Sequence, residues 1–428
     1  MTNGSNGASP PCMHFGIISP PVPGHINPFG ALGRELIGRG HRVTFLHMPD
    51  LEERVRAQGL EFAAIGHTDH PSGSLPRSLK ALGKLDGLAA LRFTIQAVCK
   101  TTEMMCRDAP RAIRELGINM LLVDQTELAG GTVAEHLGLP FVTLCHALAM
   151  NREPGVPPPF THWSYNDSPW ARLRNRLGYR ASDRFTAPIG RVVAAYRQQW
   201  GLPPHHGPED SFSPLGQISQ QPPAFDFPRR KLPPTFHYAG PFRGSSPAVP
   251  FPWERLDGRP LIYASLGTLQ NRKERIFRCF AQACDGLPAQ LLITHGGALD
   301  DGALAGLPGA PLVVSYAPQL EVLSRAHLTL THAGLNTVLD SLTHGVPLVA
   351  VPITYEQPAI AARILWTGSG EVLPLKQLNP AALRDAIVRV LGTPRYRENA
   401  GVVAESIRQA GGVRSAADTI ERLAAQVP

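Results

Sequence analysis

Short apolar runs of strand length recur along this chain, with helically spaced apolar residues between them. The first half holds Phe15 to Ser19, Arg42 to His47, Met120 to Val123 and Phe141 to Leu144. The second holds Leu261 to Ser265, Leu291 to Thr294, Leu312 to Ser315, Leu328 to Thr331 and Leu348 to Val351. Such runs read as buried parallel strands. The helical pattern from Asn27 to Arg39 stops at Gly40, and another running through Leu137 stops at Gly138, so strand, helix and strand form βαβ units. The expected class is α/β, with two doubly wound, Rossmann-like domains facing across a cleft at the carboxyl ends of their strands. The Pro-rich, irregular stretch from Phe225 to Pro260 separates the halves. The expected divisions are a first domain at 12–242, a linker at 243–260 and a second domain beginning at 261.

Composition narrows the function classes. The chain has 428 residues, enough for two ordinary domains, and its 43% hydrophobic and 18% charged content is that of a globular protein. No apolar run approaches the roughly 18–20 residues that span a bilayer. Residues 1–12 lack a basic start and an apolar stretch, so they read as a loose tail rather than a signal peptide, and a cytoplasmic protein is expected. The six cysteines are scattered with no C-x-x-C pair, which argues against a zinc site or a disulfide framework. The net charge of +7 is spread along the chain without a basic stripe interleaved with aromatics, so no nucleic-acid partner is expected. Attraction of an anionic substrate, or weak affinity for an anionic membrane surface, accounts for the charge.

The chemistry concentrates between Tyr316 and Gln357. His332-Ala333-Gly334 stands where the strand Leu328 to Thr331 hands over to a helix. Unpaired backbone N–H groups and the positive end of the helix dipole favour an anion there, and Gly334 allows close approach. Asn336 and Thr337 in the first turn, with His332, can add hydrogen bonds to phosphate, and Asp340 one turn on can accept two ribose hydroxyls. Glu356 and Gln357 follow the next strand and suit a ligand covered in hydroxyls. Facing them, Pro23-Gly24-His25-Ile26-Asn27-Pro28 puts His25 on the loop after the first strand, and Asp124 ends Met120 to Val123. Histidine supplies a base near neutral pH, and a carboxylate can orient the ring and stabilise its charged form. Ser265, ending the strand that starts at Leu261, and Thr268 just after it bring hydroxyls to the same cleft. Each residue also has a plain structural reading, Tyr316 as a packing aromatic and Asp340 as a helix surface charge, and only their joint spacing argues for a site.

This box resembles that of the UDP-dependent glycosyltransferases, down to Y-A-P-Q at Tyr316, Ala317 and Gln319. Tyr316 stands where Trp is usual in the plant enzymes, Asp340 where Glu is usual and Glu356 where Asp is usual. The resemblance implies a GT-B fold whose last helix, at 404–428, crosses back to the first domain. It implies that Tyr316 stacks on uracil, Gln319 reaches the base or ribose, His332 to Thr337 hold the diphosphate, Asp340 the ribose, and Glu356 and Gln357 the sugar. His25 and Asp124 become the catalytic dyad of an inverting, single-displacement transfer from UDP-glucose that needs no metal and no further cofactor. V-D-Q-T-E-L-A-G from Val123, N-R-E-P-G-V-P from Asn151, F-S-P-L-G-Q-I-S-Q from Phe212, F-D-F-P-R-R from Phe225 and A-S-L-G-T-L-Q from Ala264 resemble the bacterial zeaxanthin glucosyltransferases in particular. The implied acceptor is a hydrophobic small molecule, zeaxanthin or a related carotenoid, delivered from a membrane and so implying peripheral contact with its inner face. Phenolics such as flavonoids are the rival acceptors, because an apolar pocket with one base discriminates poorly. A monomer is expected. A nucleotide-sugar epimerase would place acids about the anomeric carbon, and a binding protein would lack the dyad. An NAD enzyme would need G-x-G-x-x-G where P-P-V-P-G-H stands.

Overall fold

The computed structural model describes residues 12–85, 87–244, 249–267, 273–297, 299, 304 and 306–427. The first half runs β1 (His14–Ile18), α1 (Pro23–Gly38), β2 (Arg42–His47), α2 (Glu52–Arg56), β3 (Glu61–Ala64), α3 (Ser74–Leu82), α4 (Gly87–Leu116) and β4 (Met120–Asp124). It continues with α5 (Leu128–Leu137), β5 (Phe141–Cys145), α6 (Pro169–Gln199), β6 (Gln217–Ser219) and β7 (Phe236–Tyr238). These strands form one parallel sheet in the order β3-β2-β1-β4-β5-β6-β7. The second half runs β8 (Leu261–Ser265), α7 (Glu274–Cys284), β9 (Gln290–Thr294), β10 (Leu312–Val314), α8 (Gln319–Leu323), β11 (Ala326–Thr331), α9 (Leu335–Thr343) and β12 (Leu348–Ala350). It ends with α10 (Gln357–Thr367), β13 (Gly370–Val372), α11 (Pro380–Gly392), α12 (Pro394–Ala410) and α13 (Gly412–Ala424), and its sheet is parallel in the order β10-β9-β8-β11-β12-β13.

The architecture is therefore α/β, two Rossmann-like parallel sheets of the GT-B kind, as the alternation of runs implied. β1, β4, β5, β8 and β9 are buried at every position, because helices cover both faces. In each sheet the strand order reverses beside the first strand, between β1 and β4 and again between β8 and β11. At such a switch point the following loops diverge to opposite faces and leave a crevice at the carboxyl ends. Both crevices carry candidate residues.

Four short strands had no visible sequence signal. β6, β7 and β13 are three residues each, too short for a pattern, and β3 is half-exposed. β7 lies inside the stretch read as an irregular connection from Phe225 to Pro260, so ordered structure of the first sheet extends into it. The sequence puts His25 on a loop; the helix instead starts at Pro23, a residue whose fixed φ suits a first helical position, and His25 sits in its first turn. At the other end, α12 lies against α9 of the second half, and the chain turns at Gly411–Gly412 into α13, which packs on α1. Val413, Ala416, Ala417, Ile420 and Leu423 of α13 complete the apolar core that also contains Phe15, Phe29 and Phe45. A further cluster joins Leu148 and Phe225 of the first half to Val338, Leu339 and Ile360 of the second.

Candidate active site

His25, in the first turn of the helix that follows β1, and Asp124, at the end of β4, meet across the first switch point. Nδ1 of His25 lies 2.7 Å from Oδ2 of Asp124, so Nδ1–H donates to the carboxylate and Nε2 is left as the basic nitrogen. The other Asp124 oxygen accepts from the Thr126 backbone at 2.9 Å and its hydroxyl at 2.6 Å. Burial opposes a charged imidazole, but the charge and hydrogen bond of Asp124, with Glu356 adding, lift the His25 pKa above the usual 6.5. Burial likewise opposes the Asp124 carboxylate, and the neighbouring His25 outweighs it and holds the acid below its ordinary range. The ring is anchored at one nitrogen, poised to gain a proton at the other, and stabilised once charged.

Glu356 reaches this pair from the second half. It is the residue before α10, and the Leu148 backbone of the first half hydrogen-bonds its carboxylate. Burial raises its pKa, and the charge of His25 acts in the opposite direction. Gln357 opens α10 with its amide oxygen accepting from Ile353 and Thr354 at 2.8 and 2.9 Å, so its NH2 is the end left for a ligand. Tyr355, just before, holds a left-handed φ of 56°, a strained geometry for an aromatic residue.

The start of α9 forms the opposite wall. Ala333 also takes a left-handed φ, 64°, and turns β11 into a helix whose N-cap is Gly334. Two glycines make room for His332: a Cβ at Gly334 would stand 2.6 Å from the ring, and one at Gly267 2.7 Å from it. Burial drives the His332 pKa down to about 4, against a hydrogen bond to the Ser265 backbone, and Nδ1 has no partner among the described residues. The ring is therefore neutral near pH 7 with its one N–H given to Ser265, and the unpaired Nδ1 donates to an anion only once the anion's charge draws a second proton onto the ring. Ser265 is buried at the end of β8, with its hydroxyl accepting from Gly267 N at 3.3 Å. Thr268 falls outside the described residues. Thr337 is buried in the first turn of α9.

Two side chains have partners the sequence did not suggest. Asn336, expected to face phosphate, donates to the Gly24 carbonyl at 2.8 Å and accepts from Gln220 at 3.1 Å, tying the two halves together. The buried Asp340 carboxylate accepts from Gln319 at 2.6 Å and from Nε of Arg243. Gln319 in turn accepts from Tyr263, whose hydroxyl lies 3.0 Å from that of Thr294, so Asp340 ends a hydrogen-bonded row of polar side chains. A ribose reaching Asp340 must compete with Arg243. Tyr316 lies at the rim, 59% exposed, with its hydroxyl donating to Gly296 at 2.8 Å, and the half-buried Ala317 follows it. An exposed ring of this kind offers a face for stacking.

His146 was also missed. It lies 6.4 Å from the His25 ring, packs on Phe29 and Phe242, has neither ring nitrogen paired among the described residues, and is pushed by burial down to about 3. Glu127, near Asp124, is pushed up to about 7 by burial, with the Asp124 charge adding. Among the described residues no three His, Cys, Asp or Glu side chains converge as metal ligands.

The arrangement brings the His25–Asp124 pair, the Glu356 carboxylate and the start of α9 together where the two halves meet. Residues 221–409 match the UDP-glucoronosyl and UDP-glucosyl transferase profile, and residues 23–117 match the Glycosyltransferase family 28 N-terminal domain. The zeaxanthin glucosyltransferase of Pantoea ananas is 36% identical over 414 residues, 96% of this chain and 96% of that protein. That of Pseudescherichia vulneris is 36% identical over 413 residues, covering 96% and 97%. The crystal structure of the calicheamicin glycosyltransferase has a TM-score of 0.76 at 25% identity over 97% of this chain and 99% of its own. With identity of this level running end to end, the chain belongs to the UDP-glucoronosyl and UDP-glucosyl transferase family and is a glycosyltransferase.

Proposed function

We propose that the protein transfers glucose from UDP-glucose, with inversion, to a ring hydroxyl of zeaxanthin or a related carotenoid. The observation that carries the mechanism is His25 of the first half hydrogen-bonded to Asp124 and near enough to Glu356 of the second half to feel its charge. In this reading Nε2 of His25 takes the acceptor proton while the acceptor oxygen attacks the anomeric carbon. The C–O bond to phosphate breaks on the opposite face, and its electron pair leaves with UDP. Backbone N–H groups at the start of α9 and the His332 ring receive that charge, which needs no metal ion. Asp124 stabilises the imidazolium. Tyr316 holds uracil by its face, Gln319 and Asp340 the base and ribose, Thr337 and Ser265 the diphosphate, and Glu356 and Gln357 the glucose.

The carotenoid acceptor is supported by the 36% identity to two zeaxanthin glucosyltransferases over nearly the whole chain. The purified protein should be given UDP-glucose or TDP-glucose with zeaxanthin in detergent, or with a flavonol panel, and products followed by mass. A hexose on zeaxanthin from UDP-glucose upholds the reading. Transfer to flavonols alone keeps the chemistry and removes the carotenoid, and preference for TDP-glucose overturns the donor.

A further inference from the structure

α6 buries one side against the first domain through Ala171, Asn175, Ile189, Val193 and Arg197, and a different set of residues meets solvent. Four-residue spacing keeps side chains on neighbouring turns of the same side of a helix. Arg172, Arg176, Arg180 and Arg184 make one exposed row at that spacing, and Leu173, Leu177, Ala181 and Phe185 make a second row beside it. The apolar row is not tucked away: Leu173 is 44% exposed, Leu177 51% and Phe185 49%, and Trp170 at the helix start is 71% exposed. Arg172 pairs with Asp167 and Asp183 with Arg152, whereas Arg176, Arg180 and Arg184 have no ion-pair partner among the described residues.

The surface continues onto α4. That helix packs along α6 in the same direction, with Cys99 beside Arg191 and Cys106 beside Tyr196. Its first turns, which carry Leu88 at 62% and Leu91 at 38% exposure, therefore fall alongside the middle of α6. Among the described residues no helix is long and apolar enough to cross a membrane. A row of unpaired cations next to a row of exposed large apolar side chains matches an acidic bilayer surface, where the first meets headgroups and the second enters the acyl boundary. Duplex nucleic acid would match the arginines and leave Leu177 and Phe185 without a role.

We propose that this face of α6 and α4 seats the protein on an anionic lipid bilayer. The inference rests on the carotenoid reading only for its purpose, which is to bring the enzyme to an acceptor dissolved in lipid. Its test uses no turnover. The full chain is sedimented with vesicles of phosphatidylcholine alone, and with vesicles of phosphatidylcholine and phosphatidylglycerol, with a DNA duplex as competitor. Binding should require phosphatidylglycerol and weaken with salt. Each neutralised arginine should cost about five-fold in affinity, so Arg176→Gln/Arg180→Gln/Arg184→Gln should lose roughly a hundred-fold. Leu173→Ser/Leu177→Ser/Phe185→Ser should lose at least about ten-fold with all charges kept. These positions are exposed, so circular dichroism should show both variants folded. Equal binding to neutral and acidic vesicles, unchanged binding by either variant, or DNA displacing the lipid overturns the proposal. Vesicle binding without zeaxanthin turnover upholds the surface and removes the acceptor; turnover in detergent without vesicle binding does the reverse.

Discussion

Arg363 of α10 donates to Asp226, in the segment between β6 and β7, at 3.0 Å, and both side chains are no more than 2% exposed. The pair joins the two halves. Arg229 donates to the same carboxylate at 2.9 Å and to the Asn151 carbonyl at 2.6 Å, and Tyr238 donates to it at 2.9 Å. Glu356 and Gln357 stand at the start of α10, so whatever fixes this helix against the first half also fixes their distance from His25. Asp226→Ala would leave two buried arginines without their acid, and an uncompensated buried charge costs about 3–5 kcal/mol. Chemical denaturation should show a loss of that order, and a loss below about 1 kcal/mol would mean that the cluster is solvated rather than structural.

His25→Ala should lower kcat about 10²–10⁴-fold, the range of a positioned general base, with UDP affinity close to the parent value. Asp124→Asn should lower kcat as well, because the imidazolium loses its counter-charge. Isothermal titration with UDP separates the two effects; normal turnover in His25→Ala would end the assignment of the base.

The acid limb of kcat/KM should report a group titrating above 6.5, since His25 must be neutral to act and its pKa is raised by Asp124 and Glu356. Asp124→Asn removes the stronger of these two influences, so its residual activity should fall off at lower pH than the parent enzyme. An acid limb that stays in place would assign it to another group.

Buried histidines make stability pH-dependent in the opposite direction. His47 and His146 stay neutral in the fold down to about 3, while unfolded histidine titrates at 6.5. Between those values the unfolded chain binds more protons, so their contribution is complete above pH 6.5 and declines as the pH falls toward 3. His25 acts the other way, contributing fully below 6.5 and less as the pH rises through its raised value. The melting temperature should drop on acidification below 6.5, and a flat profile there would show that these histidines are already hydrated.

Asp340→Ala should raise the donor KM ten- to a hundred-fold, the worth of about 1.5–3 kcal/mol for hydrogen bonds to a charged group, and leave kcat less affected. Arg243→Met removes the competitor for the same carboxylate, so UDP binding to that variant shows whether Arg243 blocks the ribose or helps the phosphate. An unchanged KM in Asp340→Ala would leave the residue a purely structural partner of Gln319 and Arg243.

EDTA should leave activity intact, because the leaving charge is assigned to the α9 helix start and His332. Loss of activity restored by a divalent cation would overturn that assignment.

The strand runs, the glycine and proline punctuation and the Tyr316 to Gln357 box were legible in the sequence because they are local. Strand burial shows as uninterrupted apolar runs, and a helix start that accepts an anion needs only a strand, a glycine and short polar residues in order. From that pattern followed two parallel α/β domains with an anion site, and from the resemblance of the box a glycosyltransferase. Tertiary structure alone decided which residues meet. Arg243 and Gln220 lie 93 and 116 residues from Asn336 and reach it only because the halves close on each other. His146 carries no motif, and its character comes from being enclosed by Phe29, Phe242 and His25. The charge states were equally out of reach: spacing can place His25 and His332 at two strand ends, but burial and neighbouring charge raise the pKa of one and lower that of the other.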